Sequence, residues 1–189
     1  DGVNWHYDEY WNTSAAIYAW DGVEVDGNNR VIVLDLRGNN LSGSLFEGLS
    51  ELTELRYLNL GKDTNMSSLN NLTGPIPASW AALIELNEID LSGNNLEGNI
   101  PPEFIALTNL HSIVLSESGI SGEVPTILAD LESITMLYLD GNQITSIPNF
   151  AVQLEKNDGM HIRYDPTGSY YQQAYATINV NENYLEFDD

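Results

Sequence analysis

The chain has 189 residues, no cysteine, and 28 acidic against 6 basic side chains, which gives a formal net charge of −22. That length suits one domain with a substantial core, and a hydrophobic fraction of 42% argues against a disordered chain. A polyanion of this density repels phosphate backbones and anionic headgroups, and the apolar runs are short. We therefore expect neither nucleic acid binding nor membrane insertion.

Residues 1–30 are rich in aromatic side chains and precede the first regular pattern of the chain. We predict that these residues form an N-terminal cap, whose aromatic side chains cover the end of the core: Trp5, Tyr7, Tyr10, Trp11, Tyr18 and Trp20. Val23 and Val25 alternate with polar residues before the turn residues 26–29. This pattern predicts a hairpin that leads into the first regular strand.

A period of 24 residues runs through residues 31–148 and predicts a repeat architecture. Five segments of the form L-x-x-L-x-L, spaced by 24, 31, 24 and 24 residues, open at Val31, Leu55, Leu86, Leu110 and Ile134. The longer spacing indicates an insertion at 63–69. Each segment alternates apolar and polar residues, as expected of a short strand with one buried face. Because no unit can bury its face alone, the five units must stack around one continuous core.

An asparagine follows most of the predicted strands, at Asn39, Asn70, Asn94, Asn142 and Asn183. A side-chain amide at this position can bond the backbone of the neighbouring coil, where the chain turns inside the stack. The fourth unit has Ser118 instead, so we expect a poorer hydrogen-bond ladder there.

The regular pattern is lost after residue 148. Residues 149–174 form an irregular insertion with the polar and aromatic run M-H-I-R-Y-D-P-T-G-S-Y-Y-Q-Q. The segment Y-A-T-I-N-V-N-E-N-Y-L-E-F then predicts a degenerate sixth repeat over 175–189. We expect this last coil either to be covered by the preceding stretch or to be followed by another domain.

The repeats closely resemble the leucine-rich repeat family, in the L-x-x-L-x-L-x-x-N-x-L-x-G-x-I-P form of plant receptor ectodomains. The resemblance implies an α/β solenoid: a right-handed superhelix of about six repeats, with a concave parallel β-sheet, irregular or 3₁₀ turns on the convex side, and an aromatic N-terminal cap. The cap pattern N-W…W-x-G-V-x-V-x-x-x-x-R-V resembles that of secreted bacterial members. Plant caps of this type contain paired cysteines, so the absence of cysteine favours a bacterial or algal origin.

Patterns of catalytic and metal-binding residues are missing from the sequence. The three histidines, His6, His111 and His161, have neither H-E-x-x-H nor another metal-ligand spacing. There is no cysteine thiol, no G-x-S-x-G, no phosphate-binding loop and no D-x-D-x-D-G calcium loop. We therefore predict a protein that is not an enzyme, with no catalytic residue, no metal site and no cofactor.

The outward positions of the predicted strands form the candidate binding surface, on the concave face. Three of the 6 basic side chains, Arg37, Arg56 and Lys62, fall on the first two strands, and carboxylates follow. Tyrosine, histidine and methionine add large contact side chains of the kind found at binding hot spots. The predicted ligand-binding residues are Arg37, Arg56, Tyr57, Glu88, Asp90, His111, Met136, Tyr138 and Asp140.

Three functions remain open at this point. The first is a secreted or cell-surface recognition module that binds a protein partner through the concave face, as a monomer or as part of a longer multidomain chain. The second is glycan or polysaccharide binding, with Tyr57, Tyr138, Tyr170 or Tyr171 stacking on sugar rings. The third is a passive spacer domain of a larger adhesin or extracellular enzyme.

Overall fold

A computed structural model describes residues 5–6, 8–11, 13–63 and 68–148, together with the backbone of three further strands at 161–163, 176–179 and 184–187. The strands, numbered along the chain, are β1 (Val23–Val25), β2 (Val31–Asp35), β3 (Ser42–Ser44), β4 (Tyr57–Asn59), β5 (Asn71–Pro75), β6 (Glu88–Asp90), β7 (Asn95–Glu97), β8 (Ser112–Val114), β9 (Ser121–Glu123), β10 (Met136–Tyr138), β11 (Gln143–Ser146), β12 (His161–Arg163), β13 (Ala176–Asn179) and β14 (Tyr184–Phe187). The 3₁₀ helices are η1 (Ile17–Ala19), η2 (Glu47–Glu51), η3 (Ala78–Ala82), η4 (Pro102–Ala106) and η5 (Thr126–Asp130).

Seven strands form the main sheet, in the order β1-β2-β4-β6-β8-β10-β12. β1 pairs with β2 in the antiparallel direction, which confirms the predicted hairpin, and each later neighbour pairs in parallel. Each repeat thus contributes one strand and forms one coil, and coils one to five are counted here from the repeats at Val31, Leu55, Leu86, Leu110 and Ile134. Parallel strands from successive coils define a solenoid.

The apolar positions of the repeat form the core, as the alternation predicts. Leu58, Ile89, Ile113 and Leu137 are register partners along the main sheet and are almost completely buried. On the returning limbs, the 3₁₀ helices bury one large side chain each in coils two to four, at Trp80, Phe104 and Leu128. These helices confirm the expectation of 3₁₀ turns opposite the main sheet.

A second layer of strands follows the asparagine column and was not predicted from the sequence. β3, β5 and β7 form a three-stranded sheet, and β9 pairs with β11. The ladders are parallel, because each strand repeats once per coil. Backbone groups at the turn of each coil therefore find partners in the next coil.

The insertion leaves the stack and returns to it at one point. The Asp63 N–H donates to the Ser68 carbonyl at 2.9 Å, and these two residues form an isolated antiparallel bridge. The Asn40 N–H donates to the Leu69 carbonyl at 3.2 Å, so the chain rejoins coil one directly after this loop. The extra residues therefore leave the register of the main sheet unchanged, while residues 64–67 lie outside the described part of the chain.

The C-terminal part of the main sheet differs from the predicted boundaries. β12 continues the sheet beside β10, with Met136 opposite His161, inside the region 149–174 that was predicted to be an irregular insertion. The predicted sixth repeat over 175–189 instead contains β13 and β14, which pair with each other in antiparallel fashion. The reason is the period: His161 follows Met136 by 25 residues, almost the repeat length, although H-I-R-Y lacks the leucine pattern. Asn183 lies outside the described residues.

Asn70 illustrates how the asparagine column joins the coils. Its Oδ1 accepts hydrogen bonds from the backbone N–H groups of Asn39 and Leu41, both at 2.9 Å. Its Nδ2 donates to the carbonyls of Leu36 and Leu60, again at 2.9 Å. One buried amide thus satisfies four backbone groups of coils one and two, which would otherwise be buried without partners.

At Ser118 the ladder is shorter, as expected, because its Oγ donates within its own coil to the Leu115 carbonyl at 2.6 Å. Backbone contact replaces the missing amide: the Leu96 N–H donates directly to the Ser118 carbonyl at 2.7 Å. The next residue, Gly119, has a φ of +85°, and a Cβ there would lie 2.6 Å from the Leu96 carbonyl oxygen. Glycine therefore permits the close approach that compensates for the serine.

The cap contains a stack of tryptophans that packs against the core. Neighbouring ring centroids are 5.1 and 4.8 Å apart in the order Trp5, Trp11 and Trp20. Two tyrosines predicted to share this role do not: Tyr10 is 46% and Tyr18 is 66% exposed. Their hydroxyl groups favour solvent over the apolar end of the core. Tyr7 lies outside the described residues.

Candidate functional site

The outward side of the main sheet presents two rows of side chains in register. The first row contains Val33, Tyr57, Glu88, Ser112 and Met136. The second row contains Asp35, Asn59, Asp90, Val114 and Tyr138. These positions alternate with the buried leucine column, so they lie on the opposite face of each strand. Neighbours within a row are about 4.8 Å apart along the solenoid.

Arg37 and Tyr57 belong to one hydrogen-bonded network at the N-terminal end of these rows. The Arg37 Nε donates to both carboxylate oxygens of Asp35, at 2.9 and 3.0 Å, and its Nη2 lies 3.4 Å from the Tyr57 hydroxyl. The hydrogen bond with Asp35 raises the pKa of Arg37 above its ordinary value. Asn59 Nδ2 donates to the Tyr57 hydroxyl at 3.1 Å. The positive charge of Arg37 is therefore neutralised, and the Tyr57 ring is held in place.

Lys62 is also neutralised, by a carboxylate two coils away. Its Nζ lies 2.7 Å from Glu117 Oε2. The lysine side chain crosses Gly93 of the intervening coil, where a Cβ would lie only 2.9 Å from the Lys62 Cβ. Sequence reasoning placed both residues on the outward face but did not pair them, because they are 55 positions apart.

Arg56 is the remaining cation of the predicted basic cluster. It is exposed, and no carboxylate among the described side chains lies within ion-pair distance of it. It stands at the start of β4, where its backbone N–H donates to the Ile32 carbonyl at 2.8 Å. His111 is similarly exposed at the start of β8. These two residues therefore flank the rows instead of lying within them.

Glu88 and Asp90 occupy the two rows at β6, in the middle of the sheet. Glu88 is exposed and Asp90 is half-buried. Asp90 Oδ1 accepts a hydrogen bond from the Ser92 N–H at 2.8 Å, and a Cβ at Gly61 would lie 2.4 Å from the same oxygen. Among the residues that the structure describes, no lysine, arginine or histidine forms an ion pair with either carboxylate. The centre of this face thus carries two uncompensated negative charges.

The C-terminal end of the rows is more apolar. Val114, Met136 and Tyr138 are half-buried there. Asp140 lies beyond them, past the end of β10, and its Oδ1 accepts a hydrogen bond from Ser116 Oγ at 2.7 Å. Sequence reasoning missed the next strand, β12, which aligns His161 with Met136 and Arg163 with Tyr138. The continuing period of the repeats was the signal that could have located it.

A small polar recess lies between the cap and the edge of the main sheet. It has a volume of about 230 Å³ and is lined by Asp21, Gly22, Asp35, Arg37 and Asp63. Arg37 already occupies the centre of this charge cluster through its contact with Asp35. In the described parts of the chain, no three metal-ligating side chains come together, and no helix has the length and apolar character needed to cross a bilayer.

Stacked parallel strands, an asparagine column and an exposed sheet face define a repeat solenoid built for surface contact. Two family profiles match the chain, both for the leucine-rich repeat, at residues 84–144 and 30–52. A crystal structure of the BIR2 ectodomain from Arabidopsis thaliana is similar over 76% of each chain, with 31% sequence identity and a TM-score of 0.68. The chain therefore belongs to the leucine-rich repeat family.

Two further similarities point in the same direction. A chain of the BIR3–SERK2 complex from Arabidopsis thaliana aligns over 82% of both chains, with 29% identity and a TM-score of 0.66. Phytosulfokine receptor 1 of the same plant is 40% identical over 75 residues, which are 39% of this chain. The matched segment spans only 7% of that receptor. The similarity to the receptor is thus confined to its repeats.

Proposed function

We propose that this protein is a secreted or cell-surface recognition module that binds a protein partner through the outward face of the main sheet. The two in-register rows at this face carry the proposal. They place aromatic, apolar and charged side chains side by side, and no described element covers them. Similarity to receptor ectodomains, including a chain from a complex of two proteins, supports both the extracellular placement and the protein partner.

The composition of the face favours a protein over a glycan. Protein hot spots combine partly buried aromatic and methionine side chains with charged neighbours, as Tyr57, Met136 and Tyr138 do here. Stacking on sugar rings requires freely exposed aromatic faces, whereas Tyr57 and Tyr138 are half-buried. Tyr170 and Tyr171 lie outside the described residues. Glycan binding and a passive spacer role therefore rank behind protein recognition.

The test compares two variants that alter apolar side chains on different surfaces. Met136→Lys combined with Tyr138→Ala changes the outward face, whereas Ile84→Lys combined with Ile127→Ala changes exposed positions on the returning limbs. Each protein is immobilised and exposed to the extracellular medium of the source organism, and retained proteins are quantified by mass spectrometry. We expect a retained partner to fall at least tenfold with the first variant only.

Two results would contradict the proposal. One is equal retention by wild type and by the outward-face variant; the other is an equal loss with the returning-limb variant. Thermal unfolding of all three proteins provides the control, since a loss that follows unfolding says nothing about the face. The non-catalytic nature of the chain, its bacterial origin and its place in a longer multidomain protein stay predictions.

A further inference from the structure

We infer that Glu88 and Asp90 are the docking point for an arginine or lysine side chain on an extended segment of the protein partner. The inference rests on the proposed function, because it concerns the same face. It goes further by naming the charge and the position of the contact that the partner makes.

The distribution of charge on this face supports a basic partner. The two cations next to the acidic pair, Arg37 and Lys62, are occupied by Asp35 and Glu117. Within the described structure, Glu88 and Asp90 receive no such compensation. The chain as a whole has a net charge of −22, which attracts a basic segment over distance and orients it during encounter.

Asp90 is arranged to receive such a ligand. One of its oxygens, Oδ1, is held by the Ser92 N–H at 2.8 Å. The side chain lies over Gly61, where any larger residue would displace it. The second oxygen remains available for a charge-assisted hydrogen bond, which is stronger than a neutral one. A carboxylate that is already oriented loses less entropy when a guanidinium or ammonium group binds.

The neighbouring strands supply the rest of the contact. Tyr57 on β4 lies directly beside Glu88, and Tyr138 on β10 lies two strands away from Asp90 in the same row. Tyrosine rings favour a cation held near their faces. The distance from β4 to β10 is about 14 Å, which an extended segment of roughly four residues spans. A short linear segment is therefore sufficient to contact both tyrosines and the acidic pair.

Other occupants fit this face less well. A second copy of the chain brings the same negative charge to the same place, so self-association is opposed. A metal ion requires more ligands than these two carboxylates, and the described residues contain no group of three. Arg56, exposed at the start of β4, repels a second basic residue on that side. The partner segment should therefore carry its basic residue at one central position.

The experiment is a selection of linear 12-residue peptides from a displayed random library on the wild-type protein. Enriched peptides are then measured by isothermal titration against two double variants of equal charge. Glu88→Gln with Asp90→Asn neutralises the acidic pair, and Glu97→Gln with Glu103→Gln neutralises two exposed carboxylates elsewhere. Each peptide is also synthesised with citrulline, the neutral isostere of arginine, or with norleucine in place of lysine.

We expect the enriched peptides to share one arginine or lysine next to an apolar residue. Their affinity should fall about tenfold or more for Glu88→Gln with Asp90→Asn, since two charge-assisted contacts are lost. It should change less than twofold for Glu97→Gln with Glu103→Gln. The citrulline or norleucine peptide should lose binding to a similar extent, and Arg56→Gln should strengthen binding.

Three outcomes overturn the inference. Equal weakening by both double variants means that the peptide senses only the overall charge of the protein. Peptides without a basic residue that lose binding on Met136→Lys refute the docking point but leave the proposed function standing. A selection that yields no peptide dependent on Met136, Tyr138 or the acidic pair contradicts the inference and the proposed function together.

Discussion

The two sides of the main sheet differ in how strictly they repeat. On the inward side, Leu58, Ile89 and Ile113 occupy equivalent positions, and each is almost completely buried. On the outward side, the same strands present Asn59, Asp90 and Val114 in one row, with a different chemistry at each coil. Stacking constrains the inward residues because every coil must match its neighbour. Function therefore has to reside in the side chains that do not repeat.

The largest effect should come from the inward side. Trp80→Ala should destabilise the protein by about 3–5 kcal/mol, because it empties a fully buried site and removes the hydrogen bond from Trp80 Nε1 to the Phe46 carbonyl. Phe46→Ala is the matched control: this ring is 69% exposed, and its removal should change stability by less than about 0.5 kcal/mol. Urea unfolding of both variants measures the contrast. Similar midpoints for the two variants would contradict it.

The asparagine column should give the next largest effect. Asn70→Ala should cost about 2–3 kcal/mol, since it leaves buried backbone groups of Leu36, Leu41 and Leu60 without their partners. The adjacent Asn71 is exposed, so Asn71→Ala should be nearly neutral. Hydrogen exchange at the Leu41 amide should accelerate in the first variant alone. If both variants behave alike, the amide is not what joins coils one and two.

Gly119 offers a test of the compensating backbone contact. Gly119→Ala should cost about 2 kcal/mol, because it combines an unfavourable positive φ with a Cβ only 2.6 Å from the Leu96 carbonyl oxygen. Gly98→Ala has a similar φ of +71°, but nothing lies within 4 Å of the added Cβ. The difference between their unfolding free energies isolates the steric part. A difference near zero would remove the close approach as an explanation.

The ion pair on the outward face should contribute far less. A double-mutant cycle of Lys62→Ala and Glu117→Ala should give a coupling of about 0.5 kcal/mol or less, because the two side chains are 26% and 52% exposed. The coupling should fall further at high salt. A value above about 2 kcal/mol would mean that the outward face also carries structural weight, and the contrast between the two sides would fail.

Asp26, at the cap hairpin, should add a contribution that depends on pH. The side-chain hydrogen bond from Arg30, with its backbone N–H, lowers the pKa of Asp26 to about 2. A lowered folded-state pKa means that the stabilisation is present above the ordinary aspartate pKa and is lost as the pH falls toward 2. The stability difference between wild type and Asp26→Asn should therefore be constant near neutral pH and shrink in acid. A difference independent of pH throughout this range would contradict the assigned pKa.

The sequence predicts the inward side well because burial is periodic. Any coil that lacks an apolar residue at the positions of Leu58 or Leu137 leaves a gap in the core, so the pattern has to appear in the sequence. The sixth strand at His161–Arg163 escapes this reasoning. Its pairing with β10 uses backbone groups, which every residue except proline can supply, so no side-chain pattern announces it. β3, with the sequence Ser-Gly-Ser, is missed for the same reason.

The sequence located the candidate site only as a surface. It identified the outward positions correctly, but it could not tell which charges neutralise each other. Arg37 is occupied by a carboxylate two residues away, and Lys62 by one 55 residues away. Both contacts depend on rotamers and on the stacking of coils, and the second also needs the space above Gly93. The uncompensated pair at Glu88 and Asp90 emerges only after these contacts are known.

The contact between Lys62 and Glu117 has a mechanical consequence. It ties the second coil to the fourth and passes over the third without touching a side chain there, because that position is Gly93. Two steps of about 4.8 Å separate its anchors, so bending the solenoid toward or away from this face changes its length. The pair thus acts as an elastic strut across three coils. Salt that screens the attraction should soften this stretch of the sheet, and a ligand that bends it has to work against the strut.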